Sequence, residues 1–295
     1  MTPRDLLAAI LAATALGLAF IAIKLGVREA PPLMLTALRF VFAAFPALLF
    51  VEPPRARPLQ VILYGLFIGV GQFGLLFLAI GQGMPVGLAS LVIQLQAFVT
   101  VLLAWIALGE RPTLAQAIGA GIALLGILAI GAGRLSGASL GPFLMVIAAA
   151  FCWAAGNLVS KLAGRVDMFA FVVWSSLAAP LPLLALSALF EGAAGFEALA
   201  HPTLVLAACV AALAYGGTII GFGLWIALLA RHSAAKVAPF ALLIPVVGMI
   251  AGRVFFAEPL GPFELAGAIL VMAGLAFAVF GERLLFPRRS DQTRA

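Results

Sequence analysis

The side chains that could do chemistry in this chain are mostly amides, hydroxyls and indoles set within long apolar runs. Gln72 stands in line with Gly65 and Gly69 at helical spacing. Ser90 and Gln94 lie one turn apart, with Gln96 nearly opposite. Trp153, Asn157 and Lys161 recur at every fourth position, as one face of a helix does, and Tyr215, Thr218, Phe222 and Trp225 form a second stripe. Amides both donate and accept, so they suit a small zwitterionic or neutral guest. Aromatic rings can close over its apolar part and face an ammonium. Arg39 is the one cation well inside a run. A lipid-facing charge there would cost about 2–3 kcal/mol, so it is expected to face the bundle, to pair with Glu29, or to receive a carboxylate. Each amide or hydroxyl has a plainer alternative, a hydrogen bond between neighbouring helices worth about 0.6 kcal/mol.

These residues point to binding rather than catalysis. Every Asp and Glu falls at a loop or at the end of a run, so no embedded carboxylate is available for cation binding or a proton relay. His201 and His232 form no cluster at ligand spacing, and no metal or cofactor is expected. Cys152 and Cys209 sit inside apolar runs as small core residues. A membrane-bound enzyme would need an acid, base or metal cluster at the membrane face, and none is visible. A structural bundle with every amide paired between helices is the remaining alternative class.

The elements that must position these groups follow from composition. Hydrophobic residues make up 65% of the chain and charged residues 9%. A soluble domain carries about 25% charged residues, so this chain cannot cover a water-facing surface. Apolar runs near the roughly 20 residues of a spanning helix recur throughout. Ten helices are expected, over 5–25, 33–51, 59–82, 86–108, 114–132, 140–163, 169–190, 203–230, 235–256 and 262–281. The first run is long for a signal peptide and lacks a small-residue cleavage site, so it reads as a retained helix. Connections are short and rich in Pro and Gly, and the longest, Glu191 to Pro202, leaves no room for a soluble domain.

The net charge of +6 does not imply nucleic acid, because the basic residues lie in loops and form no face. They set orientation instead. With the N-terminus inside, that side holds Arg4, Arg55, Arg57, Arg111, Lys161, Arg165, Arg231, Lys236, Arg283, Arg288, Arg289 and Arg294; the outside holds Lys24, Arg28, Arg134 and Arg253. Both termini are therefore expected in the cytoplasm. Lys24 and Lys161, near helix ends, are expected to snorkel.

The chain also repeats. Glu110, Gly119 and Gly126 find counterparts at Glu258, Gly267 and Gly274, a constant offset of 148 residues. Earlier landmarks, Leu16 with Trp153 and Lys24 with Lys161, are offset by 137, so the second half carries an insertion, placed in the loop 191–202. The expected units are 1–134 and 135–282, followed by a polar tail, 283–295. Five crossings per half is an odd number, so the second half must enter the bilayer upside down. Inverted repeats of this kind are the architecture of secondary transporters, which close the halves around a midplane site. Gly217 and Gly221 permit close packing and bending in the long eighth helix, and Pro239 and Pro245 should kink the ninth.

Particular stretches sharpen this reading. They are Pro31-Pro32-Leu33-Met34-Leu35, Leu38-Arg39-Phe40, Gly83-Met84-Pro85, Gly87-Leu88-Ala89-Ser90-Leu91-Val92, Gln94, Gln96-Ala97-Phe98 and Gly109-Glu110-Arg111. In the second half they are Trp153, Gly156-Asn157, Arg231, Val237-Ala238-Pro239 and Pro245-Val246-Val247-Gly248. Over nearly its whole length the chain resembles the EamA-type branch of the drug/metabolite transporter superfamily. The resemblance implies an all-α membrane protein, ten helices around a central cavity with helices five and ten peripheral, and export of amino acids or related metabolites. It also implies a bacterial inner-membrane setting among lipid; a monomer is the expectation. Members often carry Trp-Gly-x-Asn in helix one, where this chain has Leu16-Gly17-Leu18-Ala19. That departure leaves open a different metabolite, or uptake instead of export.

Overall fold

The structure, a computed structural model, describes residues 1–133, 140–232 and 234–285. Its regular secondary structure among these residues is helical, with ten helices long and apolar enough to cross a membrane. They are α1 (Pro3–Glu29), α2 (Pro32–Leu49), α3 (Pro58–Gly81), α4 (Val86–Leu108), α5 (Leu114–Ala132), α6 (Leu140–Leu162), α7 (Met168–Phe190), α8 (Leu204–Leu228), α9 (Lys236–Phe256) and α10 (Pro262–Glu282). Large apolar side chains such as Leu204, Phe50 and Leu181 are exposed all round the bundle, as a lipid-facing surface requires. Arg134 and most of the expected tail, 286–295, lie outside the described residues.

Local sequence explains where the helices start. Pro3, Pro32, Pro58 and Pro262 each stand in a first turn, where a missing N–H costs nothing. Thr2, Thr113 and Thr203 accept a hydrogen bond from the third residue of the helix that follows. The insertion predicted between α7 and α8 is not a plain loop. It folds into a short helix, Ala193–Ala200.

The inversion of the halves is visible in one helix pair. α5 and α10 pack so closely that a Cβ on Gly119 would stand 2.5 Å from the Gly274 carbonyl oxygen, and one on Gly126 would stand 2.7 Å from that of Gly267. Rising numbers on one helix meet falling numbers on the other, so the two run antiparallel. Gly119 and Gly126 are the repeat counterparts of Gly267 and Gly274. Each contact is therefore the image of the other under exchange of halves. Only glycine permits backbones this close. The pair lies to one side of the bundle, away from the central cavity, as the resemblance implied.

Three pairs of repeat-related helices bear on the site. α4 breaks at Ile93–Gln94, between Val86–Val92 and Leu95–Leu108. α9 breaks 148 residues later, at Leu242, between Ala234–Ala241 and Leu243–Phe256. Pro239 and Pro245 foretold the second break, by removing backbone donors. The first has no proline. α3 and α8 each contain π-helical turns, Leu66–Gly74 and Ala212–Phe222, again at matching repeat positions. The bending expected of α8 thus takes this form, and α3 shares it. α2 and α7 also share a break point of their own kind: α2 ends its regular helix at Ala44, and α7 passes through a 3-10 turn at Ser176–Ala178.

Candidate functional site

A cavity of ≈150 Å³ lies where the halves meet. Its wall is built from α1 (Leu16, Ala19, Phe20, Ile23), α2 (Arg39), α3 (Gln72, Phe73, Leu76), α4 (Ile93, Gln94, Gln96), α6 (Trp153), α8 (Gly217, Phe222, Trp225) and α9 (Ala241, Ile244). α5 and α10 contribute nothing to it. A cavity of this volume takes a benzene-sized guest, which is the scale of a small amino acid. A wider vestibule of ≈840 Å³ shares Gln96, Trp153, Phe222 and Trp225 with the cavity. It continues past Asn157 and Ser160 to Val166, exposed Asp167 and Met168 in the α6–α7 turn, on the face that carries the N-terminus.

The irregular helices place the polar groups. In a regular helix Gln94 and Gln96 would point nearly apart. The break at Ile93–Gln94 replaces regular bonding by short turns, with Gln94 N–H donating to the Leu91 carbonyl and Gln96 N–H to that of Ile93. Both amides then reach the lining. The π turns of α3 widen its face in the same way, so adjacent Gln72 and Phe73 both line the cavity. Such turns cost regular hydrogen bonding and concentrate where a side chain must be re-aimed.

Arg39 is the charged member. It is 2% exposed, yet its side chain forms part of the cavity wall. Its guanidinium carbon lies 3.7 Å from the ring centre of Phe73, with Phe40 and Phe77 at 5.6 and 5.9 Å. Nη2 donates to Thr218 Oγ1 at 3.2 Å, and Nε has no hydrogen-bond partner among the described residues. The expected pairing with Glu29 is not made. Glu29 accepts from Thr203 Oγ1 at 2.6 Å, at the far end of α1. The cavity is therefore cationic, since no carboxylate appears in its lining.

Several expected site residues lie elsewhere. Ser90 is fully buried, donates to the Gly87 carbonyl at 2.7 Å and fills the space that Gly248 leaves on α9, so it joins helices rather than facing the cavity. Tyr215 is 38% exposed on the outer face of α8. Thr218 stands behind Arg39 and also donates to the Leu213 carbonyl. Asn157 lines the vestibule, where its amide donates to Gln96 Oε1 at 3.0 Å and Thr100 Oγ1 at 3.1 Å. Gln72, Gln94, Gln96, Trp153, Trp225 and Arg39 all meet at the cavity. So does Gly217, expected as a packing and hinge glycine. Sequence reasoning missed the four α1 residues. Leu16 and Ala19 occupy the very positions where the resembling family often has Trp and Asn, and that was the available signal.

The helix ends differ between the two faces. Opposite the N-terminal face, Glu258 accepts from the Val86 and Gly87 amides at 2.9 and 3.1 Å, capping α4. On that same face Glu191 accepts from the Leu33 and Met34 amides at 2.7 and 3.1 Å, capping α2. A carboxylate suits these positions because the helix start carries partial positive charge. On the vestibule face Glu110, the repeat counterpart of Glu258, is ion-paired with Lys161.

Comparison with known proteins agrees with this architecture. A model of the EamA-like transporter family matches twice, over residues 4–132 and 140–280. A protein of Salmonella typhimurium named a probable amino-acid metabolite efflux pump is 42% identical over 292 residues, covering 96% of this chain and 97% of its own. A protein of the same name from Escherichia coli K12 is 40% identical over the same shares. A more distant relative of Streptantibioticus cattleyicolor, a probable terminal-alkyne amino-acid exporter, is 28% identical over 82% of this chain and 80% of its own. One solved crystal structure superposes with a TM-score of 0.65 at 22% identity, covering 97% of this chain and 99% of that one, which supports the fold alone. The chain therefore belongs to the EamA-like transporter family.

Proposed function

We propose that this chain exports small amino-acid-like metabolites, with O-acetylserine and cysteine as the leading candidates, by alternating access through the central cavity. The observation that carries the reading is the cavity wall itself. Three amides, two indoles and one guanidinium converge on a benzene-sized space at the seam of two inverted repeats. Gln72, Gln94 and Gln96 offer acceptors and donors to a zwitterion, and Trp153 and Trp225 flank its apolar part. The similar proteins named as amino-acid metabolite efflux pumps favour the same substrate class. The bias of basic residues among the loops favours both termini in the cytoplasm, and in that orientation the vestibule faces the supply of substrate. In this orientation the setting is a bacterial inner membrane. The units 1–134 and 135–282 act as the two halves that exchange conformations, with Pro239, Pro245, Gly217 and Gly221 absorbing the change in α8 and α9.

Counterflow in proteoliposomes tests this. Vesicles loaded with unlabelled cysteine should accumulate labelled cysteine transiently, and O-acetylserine should exchange as well. No exchange with any amino acid or acylated serine would overturn the substrate class.

A further inference from the structure

We infer that Arg39 is a carboxylate receptor, so that the cavity takes molecules with a free carboxylate and rejects their esters and the corresponding amines. The inference deepens the exporter reading and rests on it only for the location of the site. Arg39 carries a charge that its partners do not match. A guanidinium withdrawn from water needs compensation, because desolvating a charge costs several kcal/mol even after relaxation. The Phe73 face supplies part of it and the Thr218 hydroxyl accepts one hydrogen bond. Nε is left without a partner among the described residues.

Among the described residues no carboxylate fills the gap. Glu29 is bonded to Thr203, Glu191 and Glu258 cap α2 and α4, Asp5 pairs with Arg231 at 2.9 Å, and Glu110 pairs with Lys161. A cation that is nine-tenths buried, short of acceptors and in the wall of an open cavity is a receptor for an anion. A carboxylate matches it best, since its two oxygens meet the planar guanidinium fork with paired hydrogen bonds. The rest of the wall fits the other end of such a guest. Amide oxygens of Gln72 and Gln94 can accept from an ammonium, and no acid stands there to hold a free amine by charge alone. The expected guest is thus an α-amino acid bound by its carboxylate first.

Binding to the purified protein, read as thermal stabilisation, tests the idea apart from transport. The probes are L-cysteine, glycine, O-acetyl-L-serine, L-cysteine ethyl ester and cysteamine. Cysteine should bind about ten- to a hundredfold more tightly than its ester or cysteamine, the range expected for losing a hydrogen bond to a charged group. Arg39→Gln should abolish that preference, and Arg39→Lys, which keeps the charge but not the fork, should retain part of it. Equal binding of cysteine and its ester to the wild-type protein would overturn the inference, with no variant needed. So would stabilisation by none of the carboxylate probes. Carboxylate-selective binding without counterflow would instead sink the exporter reading and leave the receptor standing.

Discussion

Asn157 shows how a residue can matter to a site it does not line. Its amide donates to Gln96 and Thr100, so it fixes the Gln96 carbonyl oxygen on the vestibule side and leaves the Gln96 NH2 free for the cavity. Asn157→Ala should raise the cysteine concentration for half-maximal counterflow about three- to tenfold, as loss of one hydrogen bond does, with the melting temperature nearly unchanged. Gln94→Ala, at the wall itself, should weaken binding at least as much. Wild-type affinity in both would remove these amides from the site. Only part of this could be read in sequence. Polar residues in an apolar run announce themselves, but a helical wheel assumes a regular helix. Gln96 pointed away on the wheel and faces the cavity because α4 breaks. Ser90 and Tyr215 pointed the right way on the wheel, yet one meets Gly248 and the other faces outward. Leu16 and Ala19 are indistinguishable by type from residues that face lipid.

At the scale of elements, the ends and breaks of helices decide the behaviour. Glu258 caps α4 with both carboxylate oxygens, so Glu258→Ala should lower stability by about 0.5–2 kcal/mol, the usual cost of losing a cap, seen as a lower melting temperature. Glu258→Gln should fall between the two, since an amide oxygen still accepts but the charge that suits a helix start is gone. Replacing Pro239 and Pro245 together with Ala restores backbone donors to α9 and should stiffen its break at Leu242. Transport should slow while cysteine binding holds; unchanged transport rates would show that α9 does not bend in the cycle. The α9 break was legible because proline carries its own mechanism. Its partner in α4 was not, and neither were the π turns of α3 and α8. Those irregularities come from packing between helices, which no local pattern encodes. The ten spans and the repeat were legible because length and landmark spacing survive without any knowledge of packing.

At the scale of the molecule, the two faces are unlike. The caps from Glu191 and Glu258 tie helix starts on one face, and the vestibule reaches exposed Asp167 on the other. Exchange of the halves should reverse this. Spin labels at Arg55 and Arg165, on the vestibule face, should approach as labels at Gly83 and Ala257 separate, when substrate is added in vesicles. Changes in the same direction on both faces would exclude a rocking exchange. The glycine seam between α5 and α10 then has a use. Its contacts turn into one another when the halves trade places, so the seam must look the same whichever side is open. A label pair set across it is a built-in ruler, whose reading should stay constant while every distance around the cavity moves.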